Sequence, residues 1–338
     1  MTNYVKLGRT GVKVSDICLG SDHFGFEGGA DEKTSQRILA QATDAGINFI
    51  DTADAYNEGR SEEIIGRYLK VAGKRDSTVL ATKCRSRTGP GPNDAGASRY
   101  HVLRACDASL RRLQTDRIDL YYIHAFDYTT HIDETVAALD HLVKQGKVLY
   151  VGCSNYAAWQ LAKSLWHSDV HNMARFDAIQ SAFNIVQPGL AREVLPLAIE
   201  EGVAVVPYSP LASGFLSGAH PREAPREGSK IVLRDRARSN RSLTDRYFQN
   251  SRIAVVDSLR EISERFRQSM IKLALHWVMQ QPGVTSPIFG ARTEAQLVGV
   301  LDAWQSPPPP EAMAAVKEVA TAFAATAPMD YPPPPSPL

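Results

Sequence analysis

Four ionisable side chains lie at the ends of three short apolar runs of the sequence. Asp51 and Tyr56 belong to the segment FIDTADAY, Lys83 ends ATK, and His124 ends DLYYIH. An ammonium group within a few ångströms of a phenol favours the phenolate and lowers its pKa toward neutrality, and a carboxylate can hold that ammonium in place. An imidazole beside the phenol can donate to the same substrate oxygen. These residues predict a site that protonates a carbonyl oxygen.

Each of these residues also has an ordinary structural explanation. An aspartate at a strand end is often a turn former or helix cap, a lone lysine is usually solvated, and a lone histidine is usually a core residue with its hydrogen bonds satisfied. Only the joint placement of these four side chains at one rim of the sheet favours a catalytic role over these structural explanations. No side chain of the set can deliver hydride, so carbonyl reduction would require a nicotinamide cofactor.

The elements that would position the four residues are a hairpin and a repeating pattern of strands and helices. Residues 4–7 and 12–15 flank a turn at 8–11 and predict the hairpin. Helical periodicity appears between strand-like runs, for example at 34–45 and 132–143. The strand-like runs are 17–21, 48–53, 78–83, 118–124, 148–155, 178–184, 203–210 and 286–290.

This alternation predicts parallel strands joined by right-handed crossovers. An open doubly wound sheet would fit it too, but no Gly-x-Gly-x-x-Gly follows the first strand. Eight repeats favour a closed (β/α)8 TIM barrel with an N-terminal β-hairpin, whose active site would lie at the carboxyl ends of the strands. We expect one domain over residues 1–338, with a proline-rich C-terminal segment, 306–338, that contains one helix.

Four further segments interrupt the pattern. Residues 212–251 form a long Gly/Pro/Arg-rich loop after strand seven, which we expect to be a lid or an ordered loop. Residues 306–310 indicate a connection, and residues 331–338 an extended tail. The glycine-rich stretch 25–29 lacks a P-loop ending and is interpreted as a flexible rim loop near the substrate.

Composition excludes several classes of function. The net charge is +1 over 338 residues, so the chain has no overall positive electrostatic field that would attract nucleic acid or an anionic membrane. No signal peptide and no apolar run of about 18 residues are present. These features predict a soluble, cytoplasmic protein. His167 and His171 have a metal-like spacing, but residues 168–170 give no clear helix, so no metal is predicted. The widely spaced cysteines, expected to be free, are Cys18, Cys84, Cys106 and Cys153.

Six motifs together resemble the aldo-keto reductase superfamily, in its aryl-alcohol-dehydrogenase-like and potassium-channel-β-subunit-like branch. The resemblance extends from Leu7 to about Leu301. It implies that Tyr56 is the general acid of a reversible carbonyl reduction, tuned by Lys83 and Asp51, and that His124 orients the substrate oxygen. The motifs are GINFIDTADAY (46–56), ATK (81–83), DLYYIH (119–124), GKV (146–148), GCSNY (152–156) and PYSPL (207–211).

The resemblance also implies one nicotinamide cofactor lying extended across the barrel mouth, with NADP(H) favoured and NAD(H) possible. Ser154, Asn155 and Gln180 would meet the carboxamide, Tyr208 would stack on the nicotinamide ring, and Arg292 would bind a 2′-phosphate. The complete implied set is Gly20, Ser21, Asp51, Ser154, Asn155, Gln180, Tyr208, Ser209, Pro210, Leu211, Ser213, Gly214, Leu216, Gly290, Arg292 and Gln296.

Two departures from the family pattern leave the choice between NADP and NAD open. Gly299-Val300 stands where many relatives carry an acid and an asparagine, and Ala219 stands where a basic residue is common. Arginines of the long loop could compensate, although solvated side chains are the simpler interpretation. They are Arg222, Arg226, Arg234, Arg236, Arg238, Arg241, Arg246 and Arg252.

His23, Phe24 and Phe126 are the predicted substrate contacts, and aryl aldehydes, sugars and cyclic ketones fit them about equally. The leading hypothesis is therefore an NAD(P)-dependent oxidoreductase acting on CH–OH groups of a small carbonyl or alcohol substrate. A cofactor-sensing regulatory subunit with little turnover is the alternative from another class, and an unrelated barrel isomerase or metal-dependent hydrolase is a third. The sequence leaves the oligomeric state open.

Overall fold

The computed structural model describes residues 2–26, 28–237 and 242–327. At the N-terminus, β1 (Tyr4–Lys6) and β2 (Lys13–Ser15) pair antiparallel, which confirms the predicted hairpin. Its turn contacts the barrel closely. Gly8 has a φ of 56°, and a Cβ there would lie 2.6 Å from the carbonyl oxygen of Gly202. Glycine is therefore required both by its backbone conformation and by the space available.

Eight parallel strands follow and form one sheet in the order β10-β3-β4-β5-β6-β7-β8-β9. The sheet closes on itself because the N–H of Thr285 donates to the carbonyl oxygen of Val205 at 2.8 Å, and the N–H of Ile288 donates to that of Pro207 at 2.7 Å. This arrangement confirms the (β/α)8 barrel. The strands are β3 (Cys18–Gly20), β4 (Phe49–Asp51), β5 (Val79–Cys84), β6 (Ile118–Ile123), β7 (Val148–Ser154), β8 (Phe176–Gln180), β9 (Ala204–Val205) and β10 (Ile288–Gly290).

Strand β9 is much shorter than the run 203–210 suggests. Pro207 and Pro210 fall within that run, and proline has no N–H to donate to a ladder. The chain still continues along the barrel wall, because the N–H of Tyr208 donates to the carbonyl oxygen of Ser181 at 3.0 Å. The barrel therefore stays closed beyond the end of the regular strand.

Helices surround the barrel, and several of them begin at a capping side chain. Asp31, for example, starts α1 by accepting from the N–H of Thr34 at 2.7 Å. The helices are α1 (Glu32–Asp44), α2 (Arg60–Ala72), α3 (Arg99–Leu113), α4 (Ile132–Lys144), α5 (Ala158–His171), α6 (Val194–Glu201), α7 (Lys230–Ala237), α8 (Leu243–Tyr247), α9 (Asn250–Phe266), α10 (Met270–Met279), α11 (Glu294–Gln305) and α12 (Pro310–Thr326).

The expectation that residues 168–170 are not helical is wrong. Helix α5 runs through them, and the rings of His167 and His171 lie 4.4 Å apart. Within the described ranges, however, no three His, Cys, Asp or Glu side chains are grouped to hold a metal ion. His167 instead approaches Asp133 at 3.3 Å.

The alternation of side chains along each strand divides the core into two layers. On β6, Leu120 and Tyr122 point into the barrel together with the hairpin residues Leu7 and Val14. The intervening Tyr121 packs against the outer helices. Because side chains alternate along a strand, the inward faces of β4, β5, β6 and β8 continue toward the mouth as Asp51, Lys83, His124 and Gln180.

The long insertion after the seventh barrel strand is ordered where the structure describes it. A 3₁₀ turn (Ala212–Ser217) leads to α7 and α8, and α9 begins at Asn250. Arg238 and Arg241 lie outside the described residues. Of the other arginines, Arg222 and Arg236 form exposed ion pairs, Arg252 is buried, and Arg226, Arg234 and Arg246 face the cavity described below.

The C-terminal part of the described chain contains two helices. Helix α11 ends at Gln305, α12 begins at Pro310 within the segment 306–338, and α12 packs against α9. Residues 331–338 and Glu27 of the rim loop lie outside the described residues. All four cysteines are free and buried. Among the helices of the described ranges, none combines the length and the apolar character needed to cross a membrane.

Candidate active site

A buried ion pair between Lys83 and Asp51 lies at the base of the site. The ammonium of Lys83, fully buried, contacts Oδ1 of Asp51 and donates to the carbonyl oxygen of Thr52 at 2.7 Å. The amide of Gln180 donates to the other carboxylate oxygen of Asp51 at 2.9 Å. Both oxygens of Asp51 are therefore engaged, and its position is fixed by three strands of the barrel.

Tyr56 lies directly above this pair. Its phenolic oxygen is 3.4 Å from Nζ of Lys83, and Nζ is 4.9 Å from the centroid of its ring. A tight turn presents the ring to the mouth, because Asn57 and Glu58 adopt left-handed conformations with φ of 53° and 59°. The side chain of Asn57 donates to the carbonyl oxygen of Phe24 at 2.6 Å, which anchors this turn to the first strand's loop.

His124 completes the predicted set. Its ring centroid lies 5.7 Å from that of Tyr56, at an interplanar angle of 75°. The N–H of His124 donates to the carbonyl oxygen of Cys84 at 2.8 Å, which continues the β5–β6 pairing past the strand ends. The structure therefore brings Asp51, Tyr56, Lys83 and His124 together at one rim, as the strand positions predict.

The protonation of Tyr56 differs from the sequence-based expectation. Burial raises the pKa of Tyr56 to about 12, although the Lys83 charge acts to lower it. Burial alone would lower the pKa of Lys83, but Asp51 and Tyr56 raise it above its ordinary value. The phenol is therefore neutral and carries its proton at neutral pH, while the lysine is charged.

A cavity of about 1000 Å³ opens above these residues across the carboxyl ends of the strands. It contains most of the predicted site. Lys83 lies beneath it, whereas Phe24 and Leu216 are fully buried in the core and do not reach its wall. The predicted residues on the wall are Gly20, Ser21, His23, Asp51, Tyr56, His124, Phe126, Ser154, Asn155, Gln180, Tyr208, Ser209, Pro210, Leu211, Ser213, Gly214, Gly290, Arg292 and Gln296.

One wall of the cavity presents amides and hydroxyls suited to a carboxamide. Asn155 has a φ of 56°, which asparagine tolerates well, and its Oδ1 accepts from the hydroxyl of Tyr208 at 2.9 Å. Its Nδ2 donates to Oγ of Ser154 at 3.0 Å. The buried hydroxyl of Ser181, at the same wall, has no hydrogen-bond partner in the described part of the chain. These groups fit the nicotinamide end of a dinucleotide.

The wall continues into a curved backbone segment after Tyr208. Ser209, Ala212 and Ser213 have φ between 48° and 58°. The amide of Asn184 supports this curve by donating to the carbonyl oxygen of Ser209 at 2.9 Å. Such a segment gives an extended ligand a continuous polar backbone to follow.

Helix α7 lies across the mouth and is attached by ion pairs. Asp22 receives Nζ of Lys230 at 2.9 Å and Nη2 of Arg234 at 2.6 Å. Burial raises the pKa of Asp22, but the charges of Lys230 and Arg234 lower it well below its ordinary value. Burial lowers the pKa of His23 to about 3, so His23 is a neutral neighbour of this cluster.

Arg292 joins the loops above the adenosine end of the predicted site. Its guanidinium donates to the carbonyl oxygens of Gly228 at 2.9 Å and Gly28 at 3.4 Å. Its own N–H donates to the side chain of Gln296 at 2.9 Å. In this arrangement Arg292 connects the insertion to the rim loop, and its 2′-phosphate role stays a prediction.

Arg85 and Lys230 line the cavity but are absent from the predicted set. A signal for Arg85 was available, since it follows Lys83 by two residues at the carboxyl end of β5. Lys230 and Arg234 are four apart, a spacing that places both on one helix face. What the sequence could not give was the partner of Lys230, Asp22, which lies 208 residues away.

Several known proteins are similar to this chain over most of its length. An uncharacterized oxidoreductase of Bacillus subtilis (strain 168), YrpG, is 36% identical over 303 residues, covering 87% of this chain and 88% of the relative. A probable voltage-gated potassium channel subunit beta of Arabidopsis thaliana is 33% identical over 296 residues, covering 87% and 88%. Aldo-keto reductase YhdN of Bacillus subtilis (strain 168) is 34% identical over 301 residues, covering 87% and 86%.

The model of the aldo/keto reductase family matches residues 16–321, which include every barrel strand. The relatives carry oxidoreductase and channel-subunit names, as the resembled branch predicts. With the buried Lys83–Asp51 pair beneath a phenol at the mouth of a closed barrel, the chain belongs to the aldo/keto reductase family of oxidoreductases.

Proposed function

We propose that this protein reduces an aldehyde or ketone to the alcohol, reversibly, with NAD(P)H as the hydride donor and Tyr56 as the general acid. The observation that carries the proposal is the contact of 3.4 Å between the phenolic oxygen of Tyr56 and Nζ of Lys83, beside His124 on the cavity wall. A proton donor, a cation and an imidazole then surround one substrate oxygen.

The chain's own residues would hold the cofactor in three parts of the cavity. Ser154, Asn155 and Gln180 would bind the carboxamide, and Tyr208 would cover the nicotinamide ring. The segment 209–214 would follow the pyrophosphate. Arg226 and Arg292 face the far end of the cavity and support NADP(H) over NAD(H), since a guanidinium matches phosphate oxygens. When bound, the cofactor supplies the hydride that no side chain can provide.

Proton transfer would proceed from the phenol to the carbonyl oxygen. Because the pKa of Tyr56 is about 12, the phenol carries its proton at neutral pH and can donate it. The phenolate left behind faces the Lys83 ammonium, which stabilises the new negative charge. Asp51 offsets the burial of that ammonium, and His124 would orient the same substrate oxygen. For alcohol oxidation these roles reverse, and higher pH would favour the base form of Tyr56.

The decisive experiment compares the wild type with Tyr56→Phe. We expect NADPH oxidation with 4-nitrobenzaldehyde to fall by about 10²- to 10⁴-fold in the variant, the usual contribution of a general acid. NADPH binding, followed by protein fluorescence, should stay within about threefold. Tyr100→Phe is the matched control, since Tyr100 is 60% exposed on α3 and its loss should change nothing. Full activity of Tyr56→Phe would contradict the proposed acid.

A regulatory subunit is the second candidate, because one relative at 33% identity is a probable voltage-gated potassium channel subunit beta. The two functions are separated by rate. Turnover below about 0.01 per second on a broad carbonyl panel, with tight NADPH binding, would favour a cofactor sensor over an ordinary enzyme.

A further inference from the structure

Arg85 occupies an unusual position beside the reacting groups. It directly follows β5 and lines the catalytic cavity with Tyr56 and His124. Its φ is 116°, a conformation that L-residues other than glycine rarely adopt. The backbone is held there by the N–H of Gly96, which donates to the carbonyl oxygen of Arg85 at 2.9 Å. Strain of this kind concentrates at ligand sites.

The guanidinium of Arg85 is half-buried, and in the described ranges no carboxylate lies within ion-pair distance of it. Within the described part of the chain, the guanidinium makes one hydrogen bond, and it is long: Nη2 donates to the carbonyl oxygen of Phe126 at 3.5 Å. Its Nε is buried without an acceptor among the described residues. A half-buried cation with so few partners is costly unless a ligand supplies the missing acceptors.

Asp127 is the acidic group whose charge acts on Arg85, but its carboxylate is bonded elsewhere. Its two carboxylate oxygens accept from the N–H of Ala97 at 2.7 Å and from the N–H and hydroxyl of Thr129 at 2.9 and 2.7 Å. The hydroxyl of Thr130 adds a fourth contact at 2.7 Å. Asp127 thus organises its own turn. Its charge acts on Arg85 at longer range, where burial already lowers the guanidinium pKa.

The position of Arg85 relative to the cofactor wall indicates which ligand it serves. Strand β5 lies between β4, which carries the Tyr56 turn, and β6, which carries His124. Tyr208 and the polar curve after it follow β9, across the barrel. Next to Arg85, Phe126 packs edge-on against Tyr128, with ring centroids 4.9 Å apart, and lies 5.8 Å from the ring of Trp159. Among the described residues, the rings of Phe126 and Tyr128 therefore line the cavity beside the guanidinium of Arg85.

We propose that Arg85 binds a carboxylate on the substrate, so that the preferred substrates are aldehydes or ketones that carry a carboxylate on a small aromatic or apolar body. The planar fork of the guanidinium matches the two oxygens of a carboxylate. The aromatic wall covers the body between the carboxylate and the carbonyl. This inference rests on the proposed carbonyl reduction and specifies its substrate class.

The test compares 4-carboxybenzaldehyde with its neutral methyl ester, which differ at the anion alone. The wild type should prefer the acid, and Arg85→Met should reduce the ratio of kcat/KM for acid over ester by about 10- to 100-fold, mainly through KM. Arg85→Lys should recover part of the ratio. Arg87→Met, in the same loop but exposed and bonded to the carbonyls of Gly89 and Gly91, should leave the ratio unchanged.

A binding measurement separates this inference from the proposed reaction. Calorimetry with 4-(hydroxymethyl)benzoate, in the presence of NADP⁺, should show weaker binding to Arg85→Met than to the wild type, whether or not the aldehyde is turned over. Binding that depends on Arg85, without turnover of the aldehyde, would contradict the proposed reaction but support the proposed carboxylate site. An unchanged acid-to-ester ratio in Arg85→Met, or a loss of NADPH affinity in its place, would overturn the assignment of Arg85 to the substrate.

Discussion

The ammonium nitrogen of Lys83 lies 3.4 Å from the phenolic oxygen of Tyr56 while it contacts the carboxylate of Asp51 from below. The ammonium of Lys83 is therefore held in place by Asp51 and can stabilise a phenolate on Tyr56. Because Lys83 is fully buried, it can act on Tyr56 without screening by solvent.

Removing one member of the buried pair should be more damaging than removing both. We expect Asp51→Asn or Lys83→Met to lower the unfolding free energy by about 3–5 kcal/mol, because each leaves a buried charge without its partner. The double variant should lose less unfolding free energy than either single variant, because it leaves no unpaired buried charge, while all three should lose the proposed carbonyl reduction. Urea unfolding and a turnover assay measure the two effects. Additive losses of stability would contradict a coupled pair.

Asp54 should make stability depend on pH. This carboxyl is 2% exposed, and burial together with Glu62 raises its pKa to about 8. The folded state therefore holds the proton more tightly than the unfolded state, where the pKa is about 3.9. Its contribution is fully present below about pH 4 and is lost as pH rises toward 8, at about 1.4 kcal/mol per unit.

Asp54→Asn removes this titration. We expect the variant to gain on the order of 3–4 kcal/mol relative to the wild type between pH 5 and pH 8, measured by urea unfolding at each pH. Other groups cancel in the difference. A constant gap between the two proteins across that range would show that Asp54 titrates as an ordinary surface acid.

The attachment of α7 to Asp22 should depend on charge. In Asp22→Asn, Lys230 and Arg234 lose an anionic partner that each contacts at 2.9 Å or less. We expect hydrogen exchange of backbone amides in α7 to accelerate by about tenfold or more, since charge-assisted hydrogen bonds are stronger than neutral ones. Glu227→Gln is the matched control, because the Glu227 side chain is 75% exposed in its pair with Arg236. Equal exchange rates of the α7 amides in the two variants would contradict the role of Asp22 in attaching α7.

The turn of the N-terminal hairpin offers a paired test of packing. In Gly8→Ala the new methyl group would meet the carbonyl oxygen of Gly202 at 2.6 Å, at a φ of 56°, so we expect a loss of about 2–4 kcal/mol in unfolding free energy. In Gly11→Ala nothing lies within 4 Å of the new methyl group. That variant should stay within about 0.5 kcal/mol of the wild type. Thermal and urea unfolding of both would decide.

The strand pattern predicts most of the fold because its signal is local. Runs such as 118–124 contain the alternation that places Leu120 and Tyr122 inside and Tyr121 outside. The same two-residue period carries Asp51, Lys83 and His124 to one rim. Boundaries are less well predicted: α5 extends through 168–170, where Ser168 and Asp169 are polar side chains that favour helices weakly.

Side-chain surroundings are the part that the sequence pattern predicts least. Phe24 is a predicted substrate contact and Leu216 a predicted cofactor contact, yet both are fully buried in the core. Arg85 lies beside Phe126 without an ion pair among the described residues, although its sequence neighbours indicate only a strand end. Exposure and partners depend on which loops fold over a residue, and those loops come from distant parts of the chain.

The sequence by itself determined the eightfold repeat, the hairpin and the order of the acid, phenol, amine and imidazole along successive strands, because periodicity and turn chemistry act over a few residues. Only the tertiary structure decided that burial outweighs the lysine charge at Tyr56, that Asp22 attaches α7 across the mouth, and that Arg85 faces the cavity. Those outcomes depend on desolvation and on charges brought close from far along the chain, and both arise only when the barrel closes.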